Sequence, residues 1–228
     1  MTARDVLKRR AGEAAAATVS DGDVVGLGSG STAAHAIRTI GARVADGLDV
    51  VGIPTSYQAA DLAREVGIPV RVPADVPGID VAIDGADQLA GDALLKGGGA
   101  SHARERVVDA AADRFLVVVD GSKRAEVLDA PVPVEVLPDA RPLVAATLDE
   151  IGGTPTVRRA TEKSGPVITD NGNQVLDCRF GPIEEPAALA DRLCTIPGVI
   201  DHGLFVGLFD AAYVATDGTV DVLERGSS

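Results

Sequence analysis

Cysteine is nearly absent from this chain. The two present, Cys178 and Cys194, lack CxxC spacing and a histidine-rich neighbourhood. That excludes a disulfide framework and a zinc-finger type of site, and buried free thiols are the expectation. Histidine is as scarce: His35, His102 and His202 are scattered without ligand spacing, so no metal is expected, and His35 reads as a helix-packing residue. No apolar run approaches the roughly 20 residues that span a bilayer. The start, Met1-Thr2-Ala3-Arg4-Asp5, lacks the apolar stretch of a signal peptide. A soluble, cytoplasmic protein without a membrane partner is therefore expected. Positive charge is short as well: 34 acidic residues face 21 basic ones, for a net charge of -13. A field of that sign repels nucleic acid and anionic membranes, and no basic helix-turn-helix segment is apparent. Lysine occurs only at Lys8, Lys96, Lys123 and Lys163, the other basic residues being arginines. Acid excess with little lysine fits a halophile, whose salty cytosol screens self-repulsion. There is no internal repeat and no low-complexity segment.

What is present is a globular composition, 46% apolar and 24% charged over 228 residues, enough for one large domain or a main domain with a small companion. Short apolar runs at Val24–Leu27, Val50–Ile53, Pro69–Val72, Val81–Ile83 and Phe115–Val119 alternate with helical stretches at Thr32–Val44, Ser56–Val66 and His102–Ala112. Ser31 is the expected N-cap of the first of these helices. Such alternation predicts an α/β fold, a mainly parallel sheet with helices on both faces. The pattern changes after about Pro131. Strands at Pro133–Leu137 and near Thr156, Val167, Val175, Val199 and Leu204, with helices at Arg141–Glu150 and Pro186–Leu193, predict a small α+β unit. The tail reads as a hairpin around Asp217-Gly218 that returns to the first sheet.

Four glycine-bearing segments fall at predicted strand ends, where an open α/β sheet forms its ligand crevice. Gly26-Leu27-Gly28-Ser29-Gly30-Ser31-Thr32 joins a strand to a helix. Helix N–H groups and the hydroxyls of Ser29, Ser31 and Thr32 suit a phosphate there. It is neither a dinucleotide fingerprint nor a P-loop: Ser31 stands where the third glycine would, and no lysine follows. Asp84-Gly85-Ala86-Asp87 offers two carboxylates on one turn for hydroxyls or protons. The bland alternative is turn capping. Lys96-Gly97-Gly98-Gly99-Ala100 suits an anion or developing oxyanion, and Glu105 follows in the next helix, where it is either a base or a solvated helix-start acid. Asp120-Gly121-Ser122-Lys123 places a further lysine at a strand end, as ligand or as surface turn.

On these segments the chain resembles the ribose-5-phosphate isomerase type A family. Pro133-Val134-Glu135-Val136, Thr169-Asp170-Asn171-Gly172-Asn173, Ile196-Pro197-Gly198-Val199 and Gly203-Leu204-Phe205 resemble it too, in order along nearly the whole chain. The resemblance implies a Rossmann-like catalytic domain at 1–131 and 208–228 and an inserted ferredoxin-like α+β domain at 132–207. It implies interconversion of ribose 5-phosphate and ribulose 5-phosphate in the non-oxidative pentose phosphate pathway, with no metal or cofactor and as a homodimer or homotetramer. It places substrate binding on Ser29, Gly30, Ser31, Thr32, on Asp84, Gly85, Ala86, Asp87, on Lys96, Gly97, Gly98, Gly99 and on Lys123. Proton transfer falls on Glu105. The chain departs from the family's usual residues with Ser29 for Thr, Gln88 for Glu, and Ser101-His102-Ala103 before Arg104-Glu105.

The chemistry so implied runs through an enediolate. Glu105 takes the proton from one carbon and returns it to the next, Lys96 and the glycine loop stabilise the oxyanion, and Asp84 and Asp87 orient hydroxyls and assist ring opening. Two alternatives share related folds: a non-catalytic sugar-phosphate-sensing module, disfavoured by the acidic charge, and an acyl-CoA transferase-like enzyme, disfavoured by the lysine-glycine loop and the small size.

Overall fold

The computed structural model describes residues 2–226. In chain order the elements are α1 (Ala3–Ala16), β1 (Val24–Leu27), α2 (Ala33–Ala45), β2 (Val51–Pro54), α3 (Tyr57–Glu65), β3 (Ile79–Gly85), β4 (Gln88–Ala90) and β5 (Ala93–Leu95). They continue with α4 (His102–Ala111), β6 (Ala112–Asp120), β7 (Val132–Val136), α5 (Arg141–Glu150), β8 (Thr154–Val157), β9 (Gln174–Arg179), α6 (Pro186–Cys194), β10 (Val199–His202), β11 (Leu204–Val206), β12 (Ala211–Ala215) and β13 (Val220–Glu224). The chain forms two compact units, one from 1–86, 104–124 and 207–228, the other from 87–103 and 125–206. The sequence division, by comparison, assigns 132–207 to the smaller part.

The first unit carries a six-stranded sheet in the order β13-β12-β6-β3-β1-β2. All its neighbours run parallel except the β12–β13 hairpin, which the expected tail supplies. Alternation along each strand sorts the two faces. Val25, Leu27, Val81, Ile83, Leu116 and Val118 pack with Ala11, Ala15, Ile37, Ile40 and Ala59 from α1, α2 and α3. On the other face Ile53 and Ile79 pack with Val108 of α4. This is the α/β architecture that the strand-helix alternation predicts. Helix α1, which the alternation did not reveal, is secured by a capping box in which Thr2 and Asp5 exchange hydrogen bonds.

Within the second unit β7-α5-β8-β9-α6-β10 folds into an antiparallel sheet ordered β10-β7-β9-β8, the βαββαβ pattern of the ferredoxin-like expectation. Val132, Val134, Val136, Leu176 and Cys178 face its helices in one apolar core. On the opposite face of β7 the wholly buried Glu135 accepts hydrogen bonds from Thr169, Asn171 and Asn173, at 2.8, 3.1 and 2.8 Å. That explains the Thr169–Asn173 motif as a loop tied to a buried carboxylate. A second, three-stranded sheet is ordered β11-β5-β4.

Several local expectations are corrected. The residues 69–72 contribute one bridge, Gly52 to Val70, and the region of Val167 only bridges at Pro166 and Ile168. Both runs are too short and proline-flanked to sustain a ladder. The N-cap of α2 is Thr32, in helical conformation and without a side-chain cap bond, and Ser31 is engaged elsewhere. Cys178 is buried, but Cys194 is exposed at the end of α6, its thiol 3.3 Å from His202 Nε2. His35 lies half-buried at the α1–α2 contact, where burial first, then Arg38, holds its imidazolium form below the usual histidine range.

Candidate active site

In the first unit, the loops after β1, β2, β3 and β6 emerge at the same, C-terminal edge of the parallel sheet. Asp84 at the end of β3 is fully buried. Its Oδ1 accepts the Ser29 N–H at 3.0 Å and the Gly85 N–H at 2.7 Å, so the carboxylate clasps the β1 loop. A Cβ at position 28 would stand 2.2 Å from that Oδ1, which is why glycine is required there: the loop passes against the acid with no room for a side chain. Ser29 Oγ donates to Ser56 at 2.6 Å and pairs with Thr55 at 2.8 Å. The Gly30 N–H donates to Gln58 at 3.2 Å. Thr55, Ser56 and Gln58 were not singled out by sequence, although they follow a predicted strand as the other loops do.

Beyond Gly30, α2 begins without a side-chain cap. Its first N–H groups and the helix dipole favour an anion at Ser31, Thr32 and Ala33. Lys8 reaches this point from α1 and donates to Ser31 Oγ at 2.9 Å. Sequence reasoning missed Lys8 because 23 residues separate the pair; the usable signal was its being one of so few lysines. Lys123 closes a short 3-10 turn after β6, where buried Asp120 accepts the Ser122 N–H at 3.0 Å. Among the described residues the Lys123 ammonium has no hydrogen bond or ion pair.

Glu105 lies in the first turn of α4 and is only 4% exposed. It is therefore not a solvated helix-start acid. β3 and β6 run parallel and α4 leads directly into the start of β6, so α4 begins at the same C-terminal edge. Arg104, the preceding residue, sits 5.0 Å from the ring of Tyr57 at the start of α3, which agrees.

In the second unit the β4–β5 hairpin pairs Gln88 with Leu95. It sets Asp87 and Lys96 on facing ends, with the Asp87 N–H donating to Leu95 O at 2.6 Å and the Lys96 N–H to Gly203 O at 2.8 Å. Lys96 is 2% exposed and its ammonium lies 5.5 Å from the Phe205 ring centroid, a cation–π arrangement. The Gly98 N–H donates to Asp87 Oδ2 at 2.7 Å, so part of the glycine loop serves a carboxylate. Gln88 clamps the 129–130 turn: Nε2 donates to Asp129 at 2.6 Å while Oε1 accepts the N–H groups of Asp129 and Ala130, both at 3.0 Å. A glutamate there would oppose Asp129, which accounts for the amide.

Ser29, Ser31, Asp84 and Lys8 are thus joined within one unit, and Asp87, Lys96, Gly97 and Gly98 within the other. The sequence model of the ribose 5-phosphate isomerase A (phosphoriboisomerase A) family matches residues 51–219. The chain is similar to the ribose-5-phosphate isomerase A of Natronomonas pharaonis, 61% identical over 215 residues that cover 94% of this chain and 95% of that one. The corresponding protein of Haloarcula marismortui is 60% identical over 218 residues, covering 96% and 95%. Among solved structures, ribose 5-phosphate isomerase A of Methanocaldococcus jannaschii superposes with a TM-score of 0.94 at 40% identity, covering 98% of this chain and all of that one. A D-ribose-5-phosphate isomerase in complex with phospho-erythronic acid reaches a TM-score of 0.96 at 39% identity, with coverage of 98% and 100%.

Proposed function

The chain belongs to the ribose 5-phosphate isomerase A family, and we propose that it interconverts D-ribose 5-phosphate and D-ribulose 5-phosphate with Glu105 as the proton carrier. The observation that carries this assignment is the buried carboxylate of Glu105 at a sheet edge that also holds an uncapped helix N-terminus and Lys8. One edge then offers a proton acceptor and a phosphate anchor, the two things an aldose phosphate needs.

The phosphate is held by the backbone N–H groups and hydroxyls of Ser31 and Thr32, by Lys8 and by Lys123, with Ser29 and Gly30 shaping the loop. Glu105 removes the proton from the carbon next to the carbonyl, and the electron pair moves into the carbonyl to give a cis-enediolate. The hydroxyl proton passes from the second oxygen to the first, the electron pair closes the new carbonyl, and the same carboxyl returns its proton to the neighbouring carbon, so no net proton is consumed. Lys96 carries the positive charge that meets the oxyanion, aided by Gly97 and Gly99. Asp84 and Asp87 orient the hydroxyls and assist opening of the furanose ring, with Gly85 and Ala86 between them in the chain. Anchoring energy at the phosphate is thereby spent on positioning the distant carbons. The reaction belongs to the non-oxidative branch of the pentose phosphate pathway, carried out in the cytoplasm by a homodimer or homotetramer.

The test is direct. The purified protein is incubated with ribose 5-phosphate in deuterated water. Ketose should form, with deuterium entering the product at carbon. Absence of ketose under conditions where the protein is folded would refute the assignment.

A further inference from the structure

We infer that Arg158, braced by Asp177, is a positioning residue that sets the Asp87 carboxylate through a single peptide group of the glycine loop. The inference rests on Asp87 being a substrate-facing group, as proposed above.

Arg158 follows the edge strand β8, and its side chain is 16% exposed. Its backbone is fixed on both sides: its N–H donates to Val175 O and its carbonyl accepts from the Val167 N–H, both at 2.9 Å. β8 and β9 pair Thr156 with Asp177, so Arg158 and Asp177 are diagonal neighbours on one face of the sheet. Nε donates to Asp177 Oδ2 at 2.9 Å, and Nη2 donates to Oδ1. Both carboxylate oxygens are engaged by one planar fork, the geometry that defines direction as well as strength. The remaining terminal nitrogen, Nη1, points at the glycine loop. It donates to Gly97 O at 2.7 Å and to Gly98 O at 3.1 Å.

Gly97 C=O and Gly98 N–H are the two ends of one peptide group. No peptide bond among the described residues is cis, so the C=O and N–H bonds point opposite ways across that plane. Arg158 grips the oxygen end, and the hydrogen end donates to Asp87 Oδ2 at 2.7 Å. A cation at the carbonyl draws electron density toward oxygen and makes the far N–H a better donor. The Asp87 carboxylate is thus held by a peptide that an arginine both orients and polarises. Loss of Arg158 frees that peptide to rotate, and two adjacent glycines supply no side chain to stop it. A lysine in its place cannot satisfy the fork and the two carbonyls together.

The experiment is a double-mutant cycle on the 228-residue chain with the variants R158K, D87N and R158K/D87N, alongside D177N. R158K should lower kcat by about tenfold, the size of effect expected when one charge-assisted contact is lost. KM and inhibition by inorganic phosphate should stay within about twofold, because the phosphate anchor involves other residues. D177N should reproduce the loss in part. In the D87N background R158K should add almost nothing, since the group it positions is gone. Wild-type kcat in both R158K and D177N overturns the inference. So do independent, multiplicative losses in the double variant, or a lowered Tm with unchanged kcat per folded molecule. If R158K does not fold, D177N and D177N/D87N carry the same cycle with Arg158 in place. D87N alone at wild-type turnover overturns instead the assignment of Asp87, and the inference with it; that result is read from a single variant, so the two failures are distinct.

Discussion

The three glycines of the loop after Lys96 should respond very differently to alanine. At Gly97 the backbone has φ +100, and a Cβ would stand 2.7 Å from His102 Nδ1 and 3.1 Å from Pro133 Cβ. The left-handed conformation costs roughly 1–2 kcal/mol for a non-glycine residue, and displacing a buried ring about 1–3 more. For a chain of this size the sum lowers Tm by roughly 5–15 °C. At Gly98 the backbone is not left-handed, and the obstacle is the Asp87 carboxylate, 2.7 Å from the built Cβ. The carboxylate is half-buried and at the end of a rotatable side chain, so it swings aside. The fold survives but the Gly98 N–H contact is lost. A hydrogen bond to a charged group contributes about 1.5–3 kcal/mol, so kcat should fall roughly 10–100-fold with Tm nearly unchanged. At Gly99 the nearest atom is Ser101 Oγ at 3.9 Å. Alanine there keeps the backbone N–H that meets the oxyanion, so it should leave kcat within about twofold and raise stability by about 0.5 kcal/mol, by restricting the unfolded chain. Thermal melts and ribose 5-phosphate turnover on the three variants decide the matter. If Gly99→Ala cuts kcat as deeply as Gly98→Ala, the loop works by close backbone approach at every glycine, and the reasoning from Asp87 fails.

Four further outcomes follow from the site and the charge. Glu105→Gln keeps the shape of a buried side chain but cannot take a proton from carbon, so kcat should drop by about 10²–10⁴ with little change in KM, and hydrogen exchange into product should fall in parallel; near-normal turnover would pass the role to Asp84 or Asp87. Lys8→Ala should raise KM and the inhibition constant for inorganic phosphate by roughly tenfold while kcat holds; a loss confined to kcat would remove Lys8 from the phosphate anchor. With a net charge of -13, Tm should climb from dilute buffer to molar potassium chloride as repulsion is screened, and a flat curve would count against a salt-adapted surface. Burial pushes the Cys178 thiol up to about 11, leaving about one part in a thousand ionised at pH 8; a thiol reagent should label one cysteine per native chain, Cys194, and two in denaturant, and equal native labelling of both would contradict the packing.

Local chemistry was legible in the sequence because it is written in adjacent residues. Apolar strands ending in glycine and acid at Leu27, Ile83 and Val119 are set by short-range preference and alternation, and the first-unit sheet follows from them. So do the helices read at Ser56–Val66 and Arg141–Glu150, which the structure places at Tyr57–Glu65 and Arg141–Glu150. Three-residue strands such as β4 and β5 were not legible, since so short a run has no period of its own and exists only through its partner. The N-cap expected at Ser31 moved to Thr32 because Ser31 answers a lysine 23 residues away. Cys194 is exposed because α6 turns it outward, a choice made by which helix face meets the core. What only tertiary structure decided is the set of long-range contacts: Glu105 sealed from water, Lys8 delivered to the β1 loop, and Arg158 brought across 61 residues to the carbonyl of Gly97. The sequence determines which groups are available, since backbone preference and side-chain chemistry are local properties. Their meeting depends on how buried apolar faces close against one another, and no interval of sequence records that distance.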